Sequence, residues 1–290
     1  MRIVVTGSTG FIGGHVARTL QGQGHDVVGF DQRPGSDPGI ETIEGDLLDA
    51  DALDTAFAGV DVICHIGAIG DVYLAAENPT LASSVNVTGS ANVGRAARRA
   101  DAKVVYASTW EVYGQPHYEP VNEEHPCEPD HPYNITKLAG ERMLLAMQHL
   151  EGLPVIALRL GTAYGLGMRP NAVFRIFIDK ARRGEAITIQ GDGSQGRQFT
   201  HVSDIARAFA AAAESDVEGL ALNVVGPEMI TIKQLAETVV ERYTTEVTYG
   251  EPRPGDVPPS YVSSDLIQQK LEWSPEVAFQ QGMAQLLDED

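Results

Sequence analysis

The sequence predicts an α/β fold, in which a doubly wound parallel sheet precedes a smaller mixed C-terminal region. Short runs of β-branched residues alternate with helical patterns through the first half of the chain, and no hairpin signal separates them. A glycine-rich loop joins the first strand to the first helix, and an acidic residue follows the second strand. Such sheets bind ligands at the carboxyl ends of their strands.

The composition is that of a globular chain with an acidic surface. Its 290 residues suit one or two domains, at roughly 150 residues per domain. The net charge of −19 argues against a nucleic-acid partner, and is consistent with adaptation to high salt or with solubility alone. Cys64 and Cys127 are too few for a disulfide scaffold or a cysteine metal site, so no metal is expected. No signal peptide or membrane-spanning run is apparent, so we expect a cytoplasmic protein with no membrane partner.

The first strand, Arg2 to Thr6, leads into the glycine loop and a helix from about Phe11 to Gln21. Gly7 allows a tight turn, Gly10 lets the backbone approach a pyrophosphate, and Gly13 allows close packing of the helix on the strand. The helix amino terminus favours the phosphate charge. A plain βα turn with chance glycines is the alternative. The predicted dinucleotide contacts in this loop are Gly7, Thr9, Gly10, Phe11, Ile12 and Gly13.

The second strand, Asp26 to Phe30, ends in Asp31, which lies 18 residues after Gly13. A carboxylate there accepts hydrogen bonds from the adenosine ribose hydroxyls and repels a 2′-phosphate, which favours NAD. Arg33 could instead receive a 2′-phosphate, so NADP is the alternative. The predicted contacts at this edge are Asp31, Gln32, Arg33 and, after a third strand from Glu41 to Glu44, Asp46 and Leu47 beside the adenine.

Two further strands supply the remaining predicted contacts along this edge. The fourth, Asp61 to Cys64, is followed by His65, which could be structural or functional, and then by small residues that allow close approach of a ligand. The fifth, Lys103 to Ala107, places two hydroxyls at the same edge. The predicted cofactor contacts here are Ile66, Gly67, Ala68, Ala107 and Ser108.

Tyr133 and Lys137 lie at the start of a helix that follows His131-Pro132. Four residues apart, the phenol and the ammonium share one helix face and can reach the same small molecule. A free tyrosine is a poor base because its pKa is about 10, but a neighbouring cation favours the phenolate. The pair could therefore move a proton to or from a hydroxyl near neutral pH. An ordinary amphipathic helix could carry the same spacing.

The regular alternation weakens after a sixth strand, Pro154 to Leu160. We therefore predict an NAD-binding domain over residues 1–160 and a smaller substrate-binding domain over 161–290, with parts of 195–226 packing back on the first domain.

The order and spacing of these parts resemble the extended short-chain dehydrogenase/reductase superfamily, and within it the NAD-dependent epimerase/dehydratase family. The resemblance implies a Rossmann-type sheet and NAD as cofactor, and it runs from about Arg2 to Gly282. The segments similar to the family's motifs are Thr6-Gly7-x-x-Gly10-x-x-Gly13, Asp46-Leu47, Asn86-Val87-Thr88-Gly89, Ser108-Thr109-x-x-Val112-Tyr113-Gly114 and Pro132-Tyr133-x-x-Thr136-Lys137-x-x-x-Glu141.

The resemblance also implies a mechanism with Thr109, Tyr133 and Lys137 as catalytic residues. Tyr133 would take a proton from a sugar hydroxyl as hydride leaves the same carbon, while Thr109 would hold the oxygen. Tyr133 and Lys137 would also contact the cofactor, Lys137 at the nicotinamide ribose, and Asn86 is implied as a further cofactor contact. If the keto sugar takes the hydride back on its other face, the net reaction is epimerisation.

Two segments in the second half resemble those that hold the nucleoside diphosphate in nucleotide-sugar epimerases. They are Gly191-Asp192-Gly193-x-x-x-Arg197 and Arg253-Pro254-Gly255-Asp256. Arginines suit a pyrophosphate because each presents a planar fork of donors, although either could be a surface ion-pair partner. The implied substrate contacts are Val72, Thr109, Trp110, Glu111, Thr162, Asn171, Arg197, Arg253 and Asp256.

The chain departs from the family's pattern in three places. Gly161-Thr162 stand where the family usually has Phe-Asn, and Gln198 replaces the usual Asp after Arg197. The family's 4,6-dehydratases carry Asp-Glu after the catalytic Thr, whereas Trp110-Glu111 stand here, which disfavours dehydration.

The leading hypothesis is an NAD-dependent nucleotide-sugar epimerase of the UDP-glucose 4-epimerase type, acting at C4 of a UDP-linked sugar. The alternatives are an NAD-dependent dehydrogenase of a free sugar or uronate that releases NADH, and a non-catalytic NAD-binding sensor. The family further implies a homodimer formed through helices near residues 82–99 and 134–150.

Overall fold

The computed structural model describes residues 1–35, 37–252 and 260–289. Its strands are β1 (Arg2–Thr6), β2 (Asp26–Asp31), β3 (Thr42–Glu44), β4 (Val62–His65), β5 (Lys103–Thr109), β6 (Val155–Leu160), β7 (Thr162–Tyr164), β8 (Ile187–Gln190), β9 (Gly196–His201), β10 (Leu220–Val224), β11 (Met229–Thr231) and β12 (Val247–Gly250). Its α-helices are α1 (Phe11–Gly22), α2 (Ala50–Ala56), α3 (Val72–Glu77), α4 (Pro79–Ser83), α5 (Ser90–Ala100), α6 (Pro132–Glu151), α7 (Val173–Arg182), α8 (Val202–Glu214), α9 (Ile232–Arg242), α10 (Asp265–Leu271) and α11 (Phe279–Leu287). A π-helical turn, Ser84–Gly89, joins α4 to α5, and a 3₁₀ turn, Trp110–Tyr113, follows β5.

Seven strands form one parallel sheet in the order β10-β6-β5-β4-β1-β2-β3. Strands β2 and β3 lie on one side of β1, whereas β4, β5 and β6 lie on the other. This change of direction beside β1 opens a crevice at the carboxyl ends of the strands. The predicted Rossmann-type, doubly wound fold is confirmed. Strand β10 comes from the second half of the chain and pairs with β6, and the division into two domains at residue 160 stays a prediction.

Apolar side chains cover both faces of the sheet because neighbouring residues on each strand point to opposite sides. Ile3 of β1 packs in a core with residues of α1 and α8, such as Leu20 and Phe209. Val4 packs in the opposite core with residues of α2, α5 and α6, such as Leu144. The sheet is therefore covered on both sides, and its carboxyl edge is where ligands can approach.

The second half of the chain adds a smaller region with its own core. Strands β7, β9 and β11 form a three-stranded sheet, and β8 pairs with β12. Tyr164 stacks on Phe174 at 4.9 Å between ring centroids, and residues of α7, α9 and α11 complete this core. The sequence does not predict strand β9, because its first residues Gly196, Arg197 and Gln198 show no apolar alternation.

The predicted helix from Ala82 to Arg99 is instead built from three pieces. Asn78 caps α4 and Pro79 occupies its first position, so the helix begins before the predicted residue. The π-helical turn then interrupts the regular pattern around Asn86, before α5 begins. The spacing of apolar residues does not reveal a π-helical turn. Such turns are frequent at functional sites.

Helix α6 is capped at both ends and held by a buried ion pair. His131 accepts the Tyr133 amide at the amino terminus, and Gly152 ends the helix with φ of +72°. Glu141, on the buried side of α6, pairs with Arg159 of β6 at 2.7 Å, and neither side chain is more than 3% exposed. Ser108 of β5 also donates to Glu141 at 2.6 Å. These contacts tie α6 to the ends of β5 and β6.

None of the helices in the described ranges is long and apolar enough to cross a membrane. Within the same residues, no group of three or more His, Cys, Asp or Glu side chains could hold a metal ion.

Replacing Arg159 by Met should destabilise the protein strongly. The Glu141 carboxylate would stay buried without its cation, which costs roughly 3–5 kcal/mol. Replacing Arg98 by Met is the matched control, because Arg98 pairs with Glu151 at 3.0 Å on the surface and such pairs contribute up to about 1 kcal/mol. Urea denaturation of both variants measures the two losses. Equal losses would contradict the role given to the buried pair.

Candidate active site

The glycine loop is pressed against the loop that follows β4. Gly7 has φ of +71°, and a Cβ atom on it would lie 2.8 Å from the Gly67 backbone. A Cβ atom on Gly13 would lie 2.0 Å from the Gly7 carbonyl oxygen. Both contacts exclude larger residues, so the loop can pass close to a bound ligand while α1 starts directly behind it.

Asp31 lies at the carboxyl end of β2, beside the glycine loop. Its carboxylate accepts hydrogen bonds from the backbone amides of Thr9 and Arg33, each at 3.1 Å. The Arg33 guanidinium lies 3.7 Å away. Within the described residues the buried Thr9 hydroxyl has no hydrogen-bond partner, and a cavity of about 210 Å³ opens beside Thr9 and Gly10. A ribose or phosphate group could satisfy that hydroxyl, so these residues fit a dinucleotide.

The remaining predicted cofactor contacts surround the same loop. Leu47 packs over Gly67, since a Cβ on that glycine would lie 3.2 Å from Leu47 Cδ1. Asp46 accepts the Leu48 amide at 2.9 Å. Several others line the sheet edge or are exposed next to it: Phe11, Ile12, Gln32, Ile66, Ala68, Ala107 and Ser108. Their contacts with a cofactor stay predictions.

Asn86 makes hydrogen bonds to two separate parts of the protein. Its side chain is buried, accepts the Ile69 amide at 2.7 Å and donates to Thr136 at 3.0 Å. It therefore connects the loop after β4 to α6. A direct contact between Asn86 and the cofactor stays a prediction.

The three predicted catalytic residues converge at the carboxyl edge of the sheet. Thr109 ends β5 and is 6% exposed, and its hydroxyl accepts the Glu111 amide at 3.3 Å. Tyr133 lies in the first turn of α6, close enough to Thr109 for the threonine hydroxyl to lower the pKa of the phenol. Lys137 follows one turn later and is 3% exposed. The hydroxyl pair and the lysine can therefore act on one bound molecule.

The pKa of the Tyr133 phenol is raised, in contrast to the expectation that Lys137 favours the phenolate. Burial is the main cause, and the negative charge of Glu111 adds to it. Arg169 and the Thr109 hydrogen bond act in the opposite direction, and Lys137 is not among the groups that shift this pKa. The phenol is thus protonated at neutral pH in the free protein.

The burial of Lys137 explains why this lysine does not favour the Tyr133 phenolate. Burial lowers the pKa of its ammonium group to about 7, against the opposing attraction of Glu141. The Nζ atom lies 4.2 Å from the centroid of the Tyr106 ring, a favourable cation–π contact. Lys137 is therefore near half-protonated at neutral pH, and its charge is directed to Tyr106 and Glu141.

Glu111 is a half-buried carboxyl group between two arginines. Burial raises its pKa, whereas Arg197 and Arg169 lower it in that order. Arg169 pairs with Asp71 at 3.0 Å, and Arg197 donates to the Gly196 carbonyl at 2.7 Å. Two guanidinium groups therefore stand near Tyr133 in a strongly acidic protein. No sequence motif predicts the pairing of Asp71 with Arg169, because the two residues are 98 positions apart in the chain.

The predicted substrate contacts are spread around this point. One small depression is lined by Trp110, Gly161 and Arg197. Val72 and Thr162 are half-buried. Asn171 is exposed and donates to Asp71 at 3.3 Å. The predicted contacts at Arg253 and Asp256 lie outside the described residues. The unusual Gln198 has a structural role, since its side chain bonds the backbone of Gly226 and Val262.

Replacing Lys137 by Met should stabilise the protein near neutral pH. The folded pKa of about 7 lies below the unfolded value, so the unfolded chain binds more protons between the two, and stability rises with pH in that window. The ammonium therefore costs on the order of 4 kcal/mol below pH 7, a penalty that disappears towards pH 10. Urea denaturation at several pH values should show the variant's advantage shrinking as pH rises. A constant or absent advantage would contradict the lowered pKa.

Comparison with known proteins supports the family resemblance. A family model described as "NAD dependent epimerase/dehydratase family" matches residues 3–225. A putative UDP-glucose 4-epimerase of Methanocaldococcus jannaschii is 31% identical over 299 residues, which cover 99% of this chain and 97% of the relative.

Two solved structures share the whole fold. The UDP-glucose 4-epimerase of Thermotoga maritima, crystallised with UDP-glucose, superposes with a TM-score of 0.93 and 27% identity, covering 99% of this chain and 98% of that one. The UDP-glucose 4-epimerase of Thermus thermophilus, in complex with NAD, gives a TM-score of 0.90 with 30% identity and the same coverage. The family description agrees with NAD, the cofactor that Asp31 predicts. This chain belongs to the NAD-dependent epimerase/dehydratase family.

Proposed function

We propose that this protein is a nucleotide-sugar epimerase that inverts C4 of a UDP-linked sugar. The observation that supports this most strongly is the meeting of Thr109, Tyr133 and Lys137 beside the Gly7 loop. When bound, NAD supplies a reversible hydride acceptor. The chain's own residues must then bind the sugar, move the proton of its 4-hydroxyl and retain the oxidised sugar until the reaction reverses.

Tyr133 is the proposed acceptor of the hydroxyl proton. Its phenol must first give its proton to a base, for which the neutral amine of Lys137 is available, and the charge of Arg169 and the Thr109 hydroxyl favour that loss. Thr109 would then hold the sugar oxygen by a hydrogen bond as charge develops on it. In the return direction Tyr133 gives the proton back.

The protonation state of Lys137 can change near neutral pH. With a pKa of about 7, it can gain or lose a proton at neutral pH as the surroundings of Tyr133 change. Glu111, whose pKa is raised by burial, can carry a proton close to the same phenol. Of these two groups, Lys137 is the one whose pKa lies near neutral pH.

The arginines favour a substrate with a diphosphate. Arg197 lies on β9 beside Trp110, and the charges of Arg197 and Arg169 both lower the pKa of Glu111. In a chain with a net charge of −19, local guanidinium groups are needed to attract an anionic substrate. A planar guanidinium fork matches phosphate oxygens.

Incubation with NAD and UDP-galactose or UDP-glucose tests this proposal. We expect interconversion of the two nucleotide sugars without net release of NADH. Tyr133→Phe should lower kcat at least about 100-fold, because a positioned general acid–base group contributes that much or more. Tyr249→Phe is the matched control, since Tyr249 is 57% exposed, and it should leave kcat unchanged.

Stoichiometric NADH release with a free sugar or uronate, and no epimer from any nucleotide sugar, would support a dehydrogenase instead. A protein that binds NAD but converts no substrate would be consistent with a sensor. Full activity of Tyr133→Phe would exclude the proton-transfer role.

We further propose a homodimer formed through α6. Ile135, Met143 and Leu150 lie on one face of α6 and are 48%, 42% and 77% exposed. Leu81 of α4 and Leu74 of α3 extend this exposed apolar surface, whereas the exposed residues of α5 include Arg98 and Arg99. An apolar surface of this kind is typical of an interface between subunits.

Sedimentation of the wild-type protein at micromolar concentration should show a dimer. Met143→Glu should give a monomer, because it places a charge in the proposed interface. Tyr249→Glu is the control, since Tyr249 is also well exposed, at 57%, but lies on β12 in the smaller region. A wild-type monomer would refute the proposed interface.

A further inference from the structure

A buried chain of hydrogen bonds runs from the glycine loop to α6, and the proposed reaction does not use it directly. Thr6 Oγ1 lies 2.8 Å from His65 Nδ1, and His65 Nε2 lies 3.0 Å from Ser90 Oγ. Ser90 then donates to the Asn86 carbonyl at 2.7 Å. Thr6, His65 and Ser90 are each no more than 1% exposed. The chain is therefore isolated from water.

The hydrogen bonds around Thr6 determine the tautomer of His65. The Thr6 oxygen accepts the amides of Ile66 and Gly67, at 3.1 and 3.0 Å. Its two lone pairs are then occupied, so its proton must point to His65 Nδ1. His65 consequently carries its own proton on Nε2 and donates it to Ser90. Burial, with a smaller contribution from Lys137, lowers the pKa of His65 to about 3, so this neutral tautomer persists at neutral pH.

At the Thr6 end, this series of hydrogen bonds holds one wall of the cofactor crevice. Thr6 anchors the amide of Gly67, which is the residue against which Gly7 packs. A shift of Gly67 by a few tenths of an ångström would change the space between the glycine loop and the loop after β4, because the two backbones are already in contact.

The other end holds α6 close to Lys137. The Asn86 carbonyl, in the π-helical turn, packs against Gly140, where a Cβ atom would lie 2.6 Å from that oxygen. The Asn86 side chain donates to Thr136. Tyr106 donates to the Lys137 carbonyl at 3.2 Å, and its ring lies 5.5 Å from that of His65. The hydrogen-bonded residues thus contact α6 at Thr136, directly before Lys137, and at Gly140, three residues after it.

We propose that His65 is a positioning residue, which sets the distance between the Gly67 wall of the crevice and the helix that carries Tyr133 and Lys137. It does so by donating to Ser90 and accepting from Thr6 at the same time, a combination that an apolar side chain cannot provide. This inference rests on the proposed role of the crevice in binding NAD. A residue that only fills the core would affect stability and leave NAD affinity unchanged.

Calorimetric titration of NAD into the purified, nucleotide-free protein tests the inference without any sugar substrate. His65→Leu replaces the imidazole by an apolar side chain of similar volume and removes both hydrogen bonds. It should weaken NAD binding about tenfold, because binding must then restore the spacing between Gly67 and α6, at a cost comparable to one lost hydrogen bond. His65→Gln can accept from Thr6 and donate to Ser90, and should recover most of the affinity.

Two further variants separate positioning from folding. Cys64→Ala alters the neighbouring buried residue of β4, which packs on the other face of the sheet, and should lower the melting temperature without weakening NAD binding. Ser90→Ala removes one link with the smallest change of volume, and should weaken NAD binding even if His65→Leu fails to fold.

Wild-type affinity in both His65→Leu and Ser90→Ala would overturn the inference while leaving the proposed function intact. A loss of affinity in Cys64→Ala as large as that in His65→Leu would also overturn it. A wild-type protein that binds no NAD would overturn the proposed function and this inference together.

Discussion

The burial of Lys137 is the constraint on which the rest of the site depends. An ammonium group that is 3% exposed is unstable unless its surroundings compensate for the lost water. The Tyr106 ring and the Glu141 carboxylate offset only part of that loss, since the pKa of Lys137 is still lowered to about 7. Glu141 is in turn fixed by Arg159 and Ser108. The Glu141 carboxylate therefore links α6 to the ends of β5 and β6, and the first turn of the same helix carries Tyr133 close to Thr109.

The cofactor half and the catalytic half of the crevice are joined by hydrogen bonds between protein groups. The strand order places β1 between β2 and β4, so the glycine loop, Asp31 and Gly67 meet at one edge. The π-helical turn at Asn86 then connects that edge to α6. This arrangement lets one rigid support hold both the dinucleotide and the proton-transferring groups, as catalysis by orientation requires.

Local sequence signals predicted much of this architecture, whereas contacts between distant segments had to be seen in the structure. The β-branched strands, the glycine spacing and the Tyr133–Lys137 spacing each act within one or two elements, so they can be recognised in the chain. The pairing of β10 with β6 and the bond between Asp71 and Arg169 depend on how the chain returns on itself. The expectation that Lys137 favours the Tyr133 phenolate is wrong for the same reason, since burial and Glu111 raise the pKa of the phenol and Lys137 does not shift it.

The titration of Lys137 tests the central claim most directly. The chain has only five lysines, so a ¹H–¹³C spectrum of lysine ε-methylene groups is simple enough to follow with pH, and the spectrum of Lys137→Met identifies the signal. A midpoint near 7 is the predicted result. A midpoint at the ordinary lysine value of about 10.4 would show that the ammonium is not destabilised by burial, and would contradict the role given to it here.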